Sequence, residues 1–248
     1  MSEVKSKGFI DALKVEIKKE VLSDGGLRVS FIDEGKSCLA VELTDPRPKS
    51  FGEMQLIIKD LELCCASISV ALGYVVKAKA GTSGTEVLDF SIQNIDHVIM
   101  WNCYSAAIIT YGKCFTDTKG RFAKFPEQKL SEILGSDKEV HDRIMHLRHN
   151  WIAHGGITNN EYGKAVLLLD PDRDKDPSIL YHAPFAAFAN RNELEDFLRV
   201  AVKCLNFLLG EQARKSQEWF DKDFRYTDLE EHYRNAEYNL NYRHKKKS

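Results

Sequence analysis

Residues 50–79 have the sequence SFGEMQLIIKDLELCCASISVALGYVVKAK, in which apolar side chains recur at steps of four and three. The recurring residues are Met54, Ile58, Leu61, Cys65, Ile68, Leu72 and Val75. Residues 86–112 repeat the pattern with Leu88, Ile92, Ile95, Ile99, Ala106 and Ile109, and Asn102 is the one polar residue on this stripe. This spacing predicts two helices, each with one buried face. Because a short glycine-containing segment joins them, we predict that they pack as an antiparallel pair.

The remaining patterns divide the chain into three segments. Residues 1–48 are predicted to form an N-terminal helix (8–22) and a β-hairpin with strands over 27–33 and 38–44 around the turn Asp33-Glu34-Gly35-Lys36. Residues 49–210 are predicted to form the helical bundle, with a second hairpin over 164–170 and 178–182. Asn192 is predicted to cap the last core helix, whose buried face is predicted to consist of Leu194, Phe197, Ala201, Cys204 and Leu208. Residues 211–248 are predicted to form a charged, aromatic helical arm with a basic tail, although a partly ordered tail fits the pattern as well. The predicted fold class is mainly α, an antiparallel helical bundle with two short β-hairpin additions.

The composition limits the kind of protein and its partners. Hydrophobic residues make up 43% of the chain, charged residues 29%, and the formal net charge is −2. A protein that is not basic overall binds nucleic acid through a local patch. The six cysteines lack a zinc-ligand spacing, so we predict that they are reduced, buried thiols. No apolar window approaches the length of a membrane span, about 18 residues, and the N-terminus lacks a signal peptide's apolar core. We therefore predict a cytoplasmic protein without membrane contact.

Residues 147–156, LRHNWIAHGG, combine an arginine, two histidines and a helix stop. Apolar residues Val140, Ile144, Leu147 and Trp151 predict a helix before the glycines, capped by Ser136 or Asp137 and spanning 137–154. Histidine exchanges protons near neutral pH, and arginine suits a phosphate group. On an ideal helix Arg148 and His154 lie about 9 Å and about 120° apart. A working site therefore requires local unwinding of the helix or a second copy of it.

The motif resembles the R-x(4–6)-H signature of the HEPN superfamily, many of whose members are metal-independent ribonucleases. Arg148 is followed by the polar His149, and His154 is preceded by the small Ala153. The segment 106–117 is similar to the helix-to-loop segment that precedes the motif helix in the abortive-infection branch. The resemblance covers roughly residues 54–210. Two other arginine–histidine pairs have a similar gap, but neither arginine is followed by a polar residue of the family form.

The resemblance implies a metal-independent endoribonuclease of toxin–antitoxin or antiviral-defence type, which cleaves RNA by attack of the 2′-hydroxyl. It implies that Arg148 and His154 are the catalytic pair, that His149 assists them, and that a homodimer forms the composite site. The basic residues Lys119, Arg121 and Lys124, together with Asn150, are the predicted RNA-binding residues. An antitoxin-like or regulatory partner is also implied.

Two absences bear on cofactors. The chain has no phosphate-binding glycine loop for a nucleotide and no carboxylate cluster typical of a two-metal nuclease. We therefore predict neither cofactor nor metal. The alternative interpretation is a catalytically inactive HEPN-like interaction module that binds a partner protein or a nucleotide.

Overall fold

The computed structural model describes residues 14–79, 94–117, 124–152, 164–171, 176–182, 190–224 and 227–242. The protein is mainly helical. Its helices are α1 (Pro46–Lys79), α2 (Ile95–Lys113), α3 (Leu130–Leu134), α4 (Lys138–Leu147), α5 (Arg191–Lys222) and α6 (Leu229–Asn235). Its strands are β1 (Glu16–Val21), β2 (Leu27–Asp33), β3 (Lys36–Ser37), β4 (Lys164–Leu168), β5 (Ser178–His182) and β6 (Leu240–Tyr242). Within these ranges, no helix has both the length and the apolar character needed to cross a membrane.

The chain divides into two compact units. One comprises Met1–Lys49 with Gln217–Ser248, and the other comprises Ser50–Ser216. The sequence patterns predict three segments, with the two chain ends as separate additions. The structure joins the ends because β6 pairs antiparallel with β2 and Ala40 forms a β-bridge with Glu237.

The first unit contains a small antiparallel sheet centred on β2. The turn between β2 and β3, predicted from the sequence Asp-Glu-Gly-Lys, is confirmed, with positive φ angles of 46° at Glu34 and 79° at Gly35. Two consecutive left-handed residues are typical of tight hairpin turns. The strand predicted over 27–33 is also confirmed. The strand predicted over 38–44 is wrong, because ladder pairing with β2 ends at Ser37.

The helix predicted over 8–22 is wrong for residues 16–21, which form β1 and pair with β2. The reason lies in the turn that follows β1. Leu22 donates its backbone N–H to the Gly26 carbonyl over 2.8 Å, and Gly26 donates to the Asp24 carboxylate over 2.9 Å. This turn folds the chain back, so the backbone groups of β1 bond to β2 rather than within a helix. Residues 8–13 lie outside the described residues.

In the second unit, α1 and α5 bury the faces that the sequence predicts. Buried residues on α1 include Ile58, Leu61, Ile68 and Val75, and those on α5 include Leu194, Phe197, Ala201, Cys204 and Leu208. One ion pair connects the C-terminal end of α2 with the first half of α1, and the antiparallel packing of the two helices stays a prediction. In this ion pair the Lys113 ammonium lies 3.3 Å from the Asp60 carboxylate. None of the six cysteines, all of which lie among the described residues, forms a disulfide; three are buried and three are half-buried.

The buried face predicted for α2 is wrong. Ile95 and Ile109 of the predicted stripe are 67% and 44% exposed, whereas Met100, Ala107 and Tyr111 are buried. Most positions of this helix are apolar, so its sequence allows several stripes and tertiary packing selects one. The helix begins at Ile95, where the Asn94 side chain accepts a hydrogen bond from the Asp96 backbone N–H. Residues 86–93 of the predicted helix lie outside the described residues.

The second hairpin is confirmed, with Val166 opposite Leu180 in the register of β4 and β5. The capping prediction for Asn192 is wrong, because Asn190 caps α5. The Asn190 side chain accepts from the Glu193 N–H, and the Glu193 carboxylate accepts from the Asn190 N–H, each over 3.0 Å. This reciprocal pair is a capping box between Asn190 and the glutamate three positions after it. Asn192 lies inside the first turn of α5, which begins at Arg191.

Candidate active site

The predicted motif helix has two parts with different geometry. It is an α-helix from Lys138 to Leu147 and a π-helix from Arg148 to Ile152. The π-helix is rare, is wider than the α-helix, and occurs often at functional sites. The change begins at the motif arginine, so the angular spacing of an ideal α-helix does not apply from Arg148 onward. Ile152 is the last described residue of this segment.

Two polar contacts lie on the surface of this segment. The Arg148 guanidinium donates from Nη1 to Nδ1 of His149 over 3.3 Å, which places the ring hydrogen of His149 on Nε2. The Asn150 amide nitrogen lies 2.9 Å from Nδ1 and 3.1 Å from Nε2 of His146. The two histidines and Asn150 are exposed, and Arg148 is half-buried. We call these four residues the motif cluster.

The buried part of Arg148 lies against α2. A Cβ atom placed on Gly112 would meet Cγ of Arg148 at 2.8 Å, and both Cδ and Nε at 3.1 Å. The stem of the arginine therefore crosses the helix where no side chain stands in its way. This contact fixes the direction from which the guanidinium reaches the surface.

The structure places only part of the predicted site. Arg148, His149 and Asn150 lie together in the motif cluster. His154, Lys119 and Arg121 lie outside the described residues. The spatial relationship of Arg148 and His154 therefore stays a prediction.

Lys124 is exposed, but it has carboxylate neighbours. Its ammonium lies 3.3 Å from an oxygen of Asp117 and 3.7 Å from an oxygen of Glu127. The hydrogen bond to Asp117 is the main reason that the pKa of Lys124 is raised above its usual value. A phosphate group at Lys124 would compete with these two carboxylates.

Lys124 also lies at the rim of a cavity of about 200 Å³. The cavity has apolar side chains from Met54, Ile57 and Leu208 in its lining and a second cation, Lys215, at its edge. Small-molecule sites usually have volumes of about 300–1,000 Å³. This cavity therefore suits a small apolar group better than a nucleotide cofactor.

The start of α4 is held by ion pairs with α5. Asp137 is a predicted cap of the motif helix, but its side chain makes no capping hydrogen bond. Its carboxylate instead accepts from Arg199 Nη2 over 2.9 Å and from Lys203 Nζ over 2.6 Å. These hydrogen bonds lower the pKa of Asp137 to about 2. Asp137 therefore occupies the predicted N-cap position, but its carboxylate binds two cations from α5 instead of the backbone of α4.

A buried histidine lies on the core side of the same helix. His141 is 5% exposed, and its Nδ1 lies 2.8 Å from the Tyr111 hydroxyl. Burial lowers the pKa of His141 to about 4 and raises that of Tyr111 well above its usual value. At neutral pH the hydroxyl is therefore the donor and the neutral imidazole the acceptor. The sequence gives one indication that His141 is buried. It precedes the buried Ile144 by three positions, and residues three apart lie on the same face of a helix.

Among the residues that the structure describes, no group of three or more histidine, cysteine, aspartate or glutamate side chains is arranged to hold a metal ion. No family model matches the chain, and no curated protein or solved structure matches it either.

Proposed function

We propose that this protein is a metal-independent endoribonuclease of the HEPN superfamily that acts in toxin–antitoxin or antiviral defence in the cytoplasm. The observation that supports the proposal most directly is the contact between Arg148 and His149 at the start of the π-helix. It brings a permanent positive charge and an imidazole together on the protein surface. These are the two groups that RNA cleavage without a metal requires.

In the proposed reaction the ribose 2′-hydroxyl is the nucleophile. A base removes its proton, the 2′-oxygen bonds to phosphorus, and the bond to the 5′-oxygen breaks. An acid donates a proton to the departing 5′-oxygen. The products are a 2′,3′-cyclic phosphate and a 5′-hydroxyl. Proton transfer by a positioned side chain contributes about 10²- to 10⁴-fold to such a rate.

Three residues carry this chemistry in the proposal. His154 exchanges the proton, and the Arg148 guanidinium stabilises the charge that develops on the phosphoryl oxygens. His149 assists, because the tautomer set by Arg148 leaves an Nε2 hydrogen to donate to a phosphate oxygen. The active species is a homodimer in which two motif helices face each other and complete the site.

Lys119, Arg121, Lys124 and Asn150 bind the RNA in this proposal. Each lysine or arginine that contacts a phosphate steepens the loss of RNA affinity as the salt concentration rises. Asp117 and Glu127 already form ion pairs with Lys124. Lys124→Ala is therefore expected to change the salt dependence of RNA binding less than the removal of an unpaired cation would.

One observation favours the second candidate function, a non-catalytic interaction module. The hairpin that follows the motif exposes large apolar side chains, with Leu167 58%, Leu169 67% and Ile179 61% exposed. Clustered apolar side chains at a surface are typical of protein-binding sites. In this alternative the hairpin binds a partner protein and no RNA is cut.

The deciding experiment incubates total RNA in EDTA with the parent protein and with the Arg148→Ala/His154→Ala variant. We expect fragments with 2′,3′-cyclic phosphate ends from the parent only. The matched control is Arg143→Ala, because Arg143 is an exposed arginine of the same helix with the same gap to a histidine, His149. If the double variant cleaves as fast as the parent, the site assignment is wrong. If none of the proteins cleaves any RNA, the interaction module replaces the enzyme.

A further inference from the structure

Gly112 lies in a helix, where the backbone conformation does not require a glycine. It is the penultimate residue of α2, and it is not among the glycines with a positive φ angle, which are Gly25, Gly35 and Gly135 in the described part of the chain. Glycine also lowers the stability of a helix relative to alanine. The reason for a glycine at this position therefore lies in what packs against it.

The neighbour at Gly112 is the stem of Arg148. A side chain at position 112 would begin 2.8 Å from Cγ of Arg148, which is well inside carbon–carbon van der Waals contact. Cγ is close to the arginine backbone, so it moves only if the side chain leaves its rotamer or the helix shifts. Either movement displaces the guanidinium and its contact with His149.

The three other α-helical glycines among the described residues lack such a neighbour. A Cβ atom placed on Gly52 or Gly73 of α1, or on Gly210 of α5, would meet no heavy atom within 4 Å. The close approach to a side chain of the motif cluster is therefore not a general property of the helical glycines. It occurs where α2 packs against the π-helix.

We propose that Gly112 is a positioning residue for Arg148: its missing side chain leaves the space in which the arginine stem lies, and so sets where the guanidinium is presented. The effect of Gly112 on catalysis rests on the proposed ribonuclease function. Its effect on the arginine does not. Misplacing a catalytic group by about 1 Å can lower a rate by about a hundredfold.

The geometric part is tested without any substrate. In Gly73→Ala the melting temperature is expected to rise by about 2–4 °C, the gain from alanine at an open helical site. Gly112→Ala should give no such rise in the parent, because the new methyl group meets Arg148. In the Arg148→Ala background, which removes Cγ, Gly112→Ala should give the same rise as Gly73→Ala. If Gly112→Ala raises the melting temperature equally with and without Arg148, the proposal is overturned. If Gly112→Ala does not fold alone but the double variant Gly112→Ala/Arg148→Ala folds, the result supports the proposal.

A spectroscopic measurement reports on the arginine itself. The Nε–Hε resonance of Arg148, assigned by its loss in Arg148→Ala, is expected to shift in Gly112→Ala and to stay in place in Gly73→Ala. An unchanged resonance in Gly112→Ala would show that the arginine has not moved, and the proposal would be wrong.

The catalytic part is measured with RNA. Gly112→Ala is expected to lower kcat at least about tenfold and to leave KM within about twofold, because a displaced guanidinium affects the transition state more than RNA binding. If Gly112→Ala shifts the Arg148 resonance but leaves kcat unchanged, Gly112 has no effect on catalysis and the catalytic part of the proposal is overturned. If the parent protein itself does not cleave RNA, the proposed function fails, while the melting and resonance measurements still decide the role of Gly112.

Discussion

The Tyr111 hydroxyl of α2 donates a hydrogen bond to Nδ1 of His141 on α4 over 2.8 Å, inside the core of the second unit. The ring of Phe115 lies edge-on to the same imidazole, with 4.7 Å between ring centroids. This pair joins the motif helix to α2 from the buried side, while Arg148 and Gly112 join them near the surface. The position of the motif cluster therefore depends on both contacts.

The first prediction concerns pH. Burial lowers the pKa of His141 to about 4 in the folded protein, whereas an unfolded histidine has a pKa of about 6.5. Between these two pKa values the unfolded chain binds more protons than the folded protein. The stability that the neutral His141 contributes is therefore fully present above the unfolded pKa and is lost as the pH falls towards the folded pKa. From about pH 7 to about pH 5, this histidine should lower the free energy of unfolding by about 2 kcal/mol. Urea unfolding across this range measures the loss.

The control for this loss is an exposed histidine on the same helix. In His141→Phe the fall in stability between about pH 7 and about pH 5 should nearly disappear, and in His146→Phe it should remain. An equal pH dependence in the parent and in His141→Phe would show that the buried histidine does not titrate as described.

The second prediction concerns the hydrogen bond itself. Tyr111→Phe removes the donor and leaves Nδ1 of His141 buried without it, which should cost about 1–3 kcal/mol of unfolding free energy at neutral pH. Tyr233→Phe is the matched control, because Tyr233 is 57% exposed. In the double variant Tyr111→Phe/His141→Phe the cost should be smaller than the sum of the single costs, since no polar group of the pair remains unsatisfied. Additive costs would contradict the coupling.

The third prediction concerns the ion pairs at the start of α4. Arg199 and Lys203 lower the pKa of Asp137 to about 2, below an unfolded value of about 3.9. Their contribution is therefore present above the unfolded pKa and is lost as pH falls through the folded pKa. The cations are partly exposed, so Asp137→Asn should cost only about 1–2 kcal/mol at neutral pH.

The matched variant for this prediction is Asp142→Asn. Asp142 forms an exposed pair with Lys138 within the same helix, and its loss should cost less than about 0.5 kcal/mol. Thermal or urea unfolding of both variants at neutral pH and near pH 2 measures the difference. If Asp137→Asn were as stable as the parent at neutral pH, the ion pairs would be surface contacts without consequence for stability.

The sequence predicted helices well where one apolar stripe stood out. In α5 polar residues surround the stripe, so only one face can be buried, and Phe197 lies where expected. In α1 the predicted stripe is buried at Leu61, although Leu63 is also apolar and is exposed. In α2 most positions are apolar, so the pattern does not distinguish Ile109, which is exposed, from Ile108, which is buried. The choice depends on which neighbours pack against the helix.

The site was predictable as a set of residues but not as a geometry. The motif pattern identified Arg148 and His149, yet no periodicity indicates that a helix becomes a π-helix at residue 148. The role of Gly112 could not be predicted either, because its contact with Arg148 joins positions 36 residues apart in the sequence. Contacts of this kind are set by the packing of α2 against the motif helix.

The last prediction separates charge from shape at the motif arginine. Arg148→Lys keeps a positive charge and most of the stem over Gly112, but it replaces the planar guanidinium with a single ammonium group. We expect kcat for RNA cleavage to fall on the order of tenfold to a hundredfold, and to fall further in Arg148→Ala. Arg143→Lys, on the same helix, should cleave at the parent rate. Equal activity of the parent and Arg148→Lys would mean that a positive charge alone is sufficient at this position. A bidentate contact between the planar guanidinium and a phosphate would then play no part.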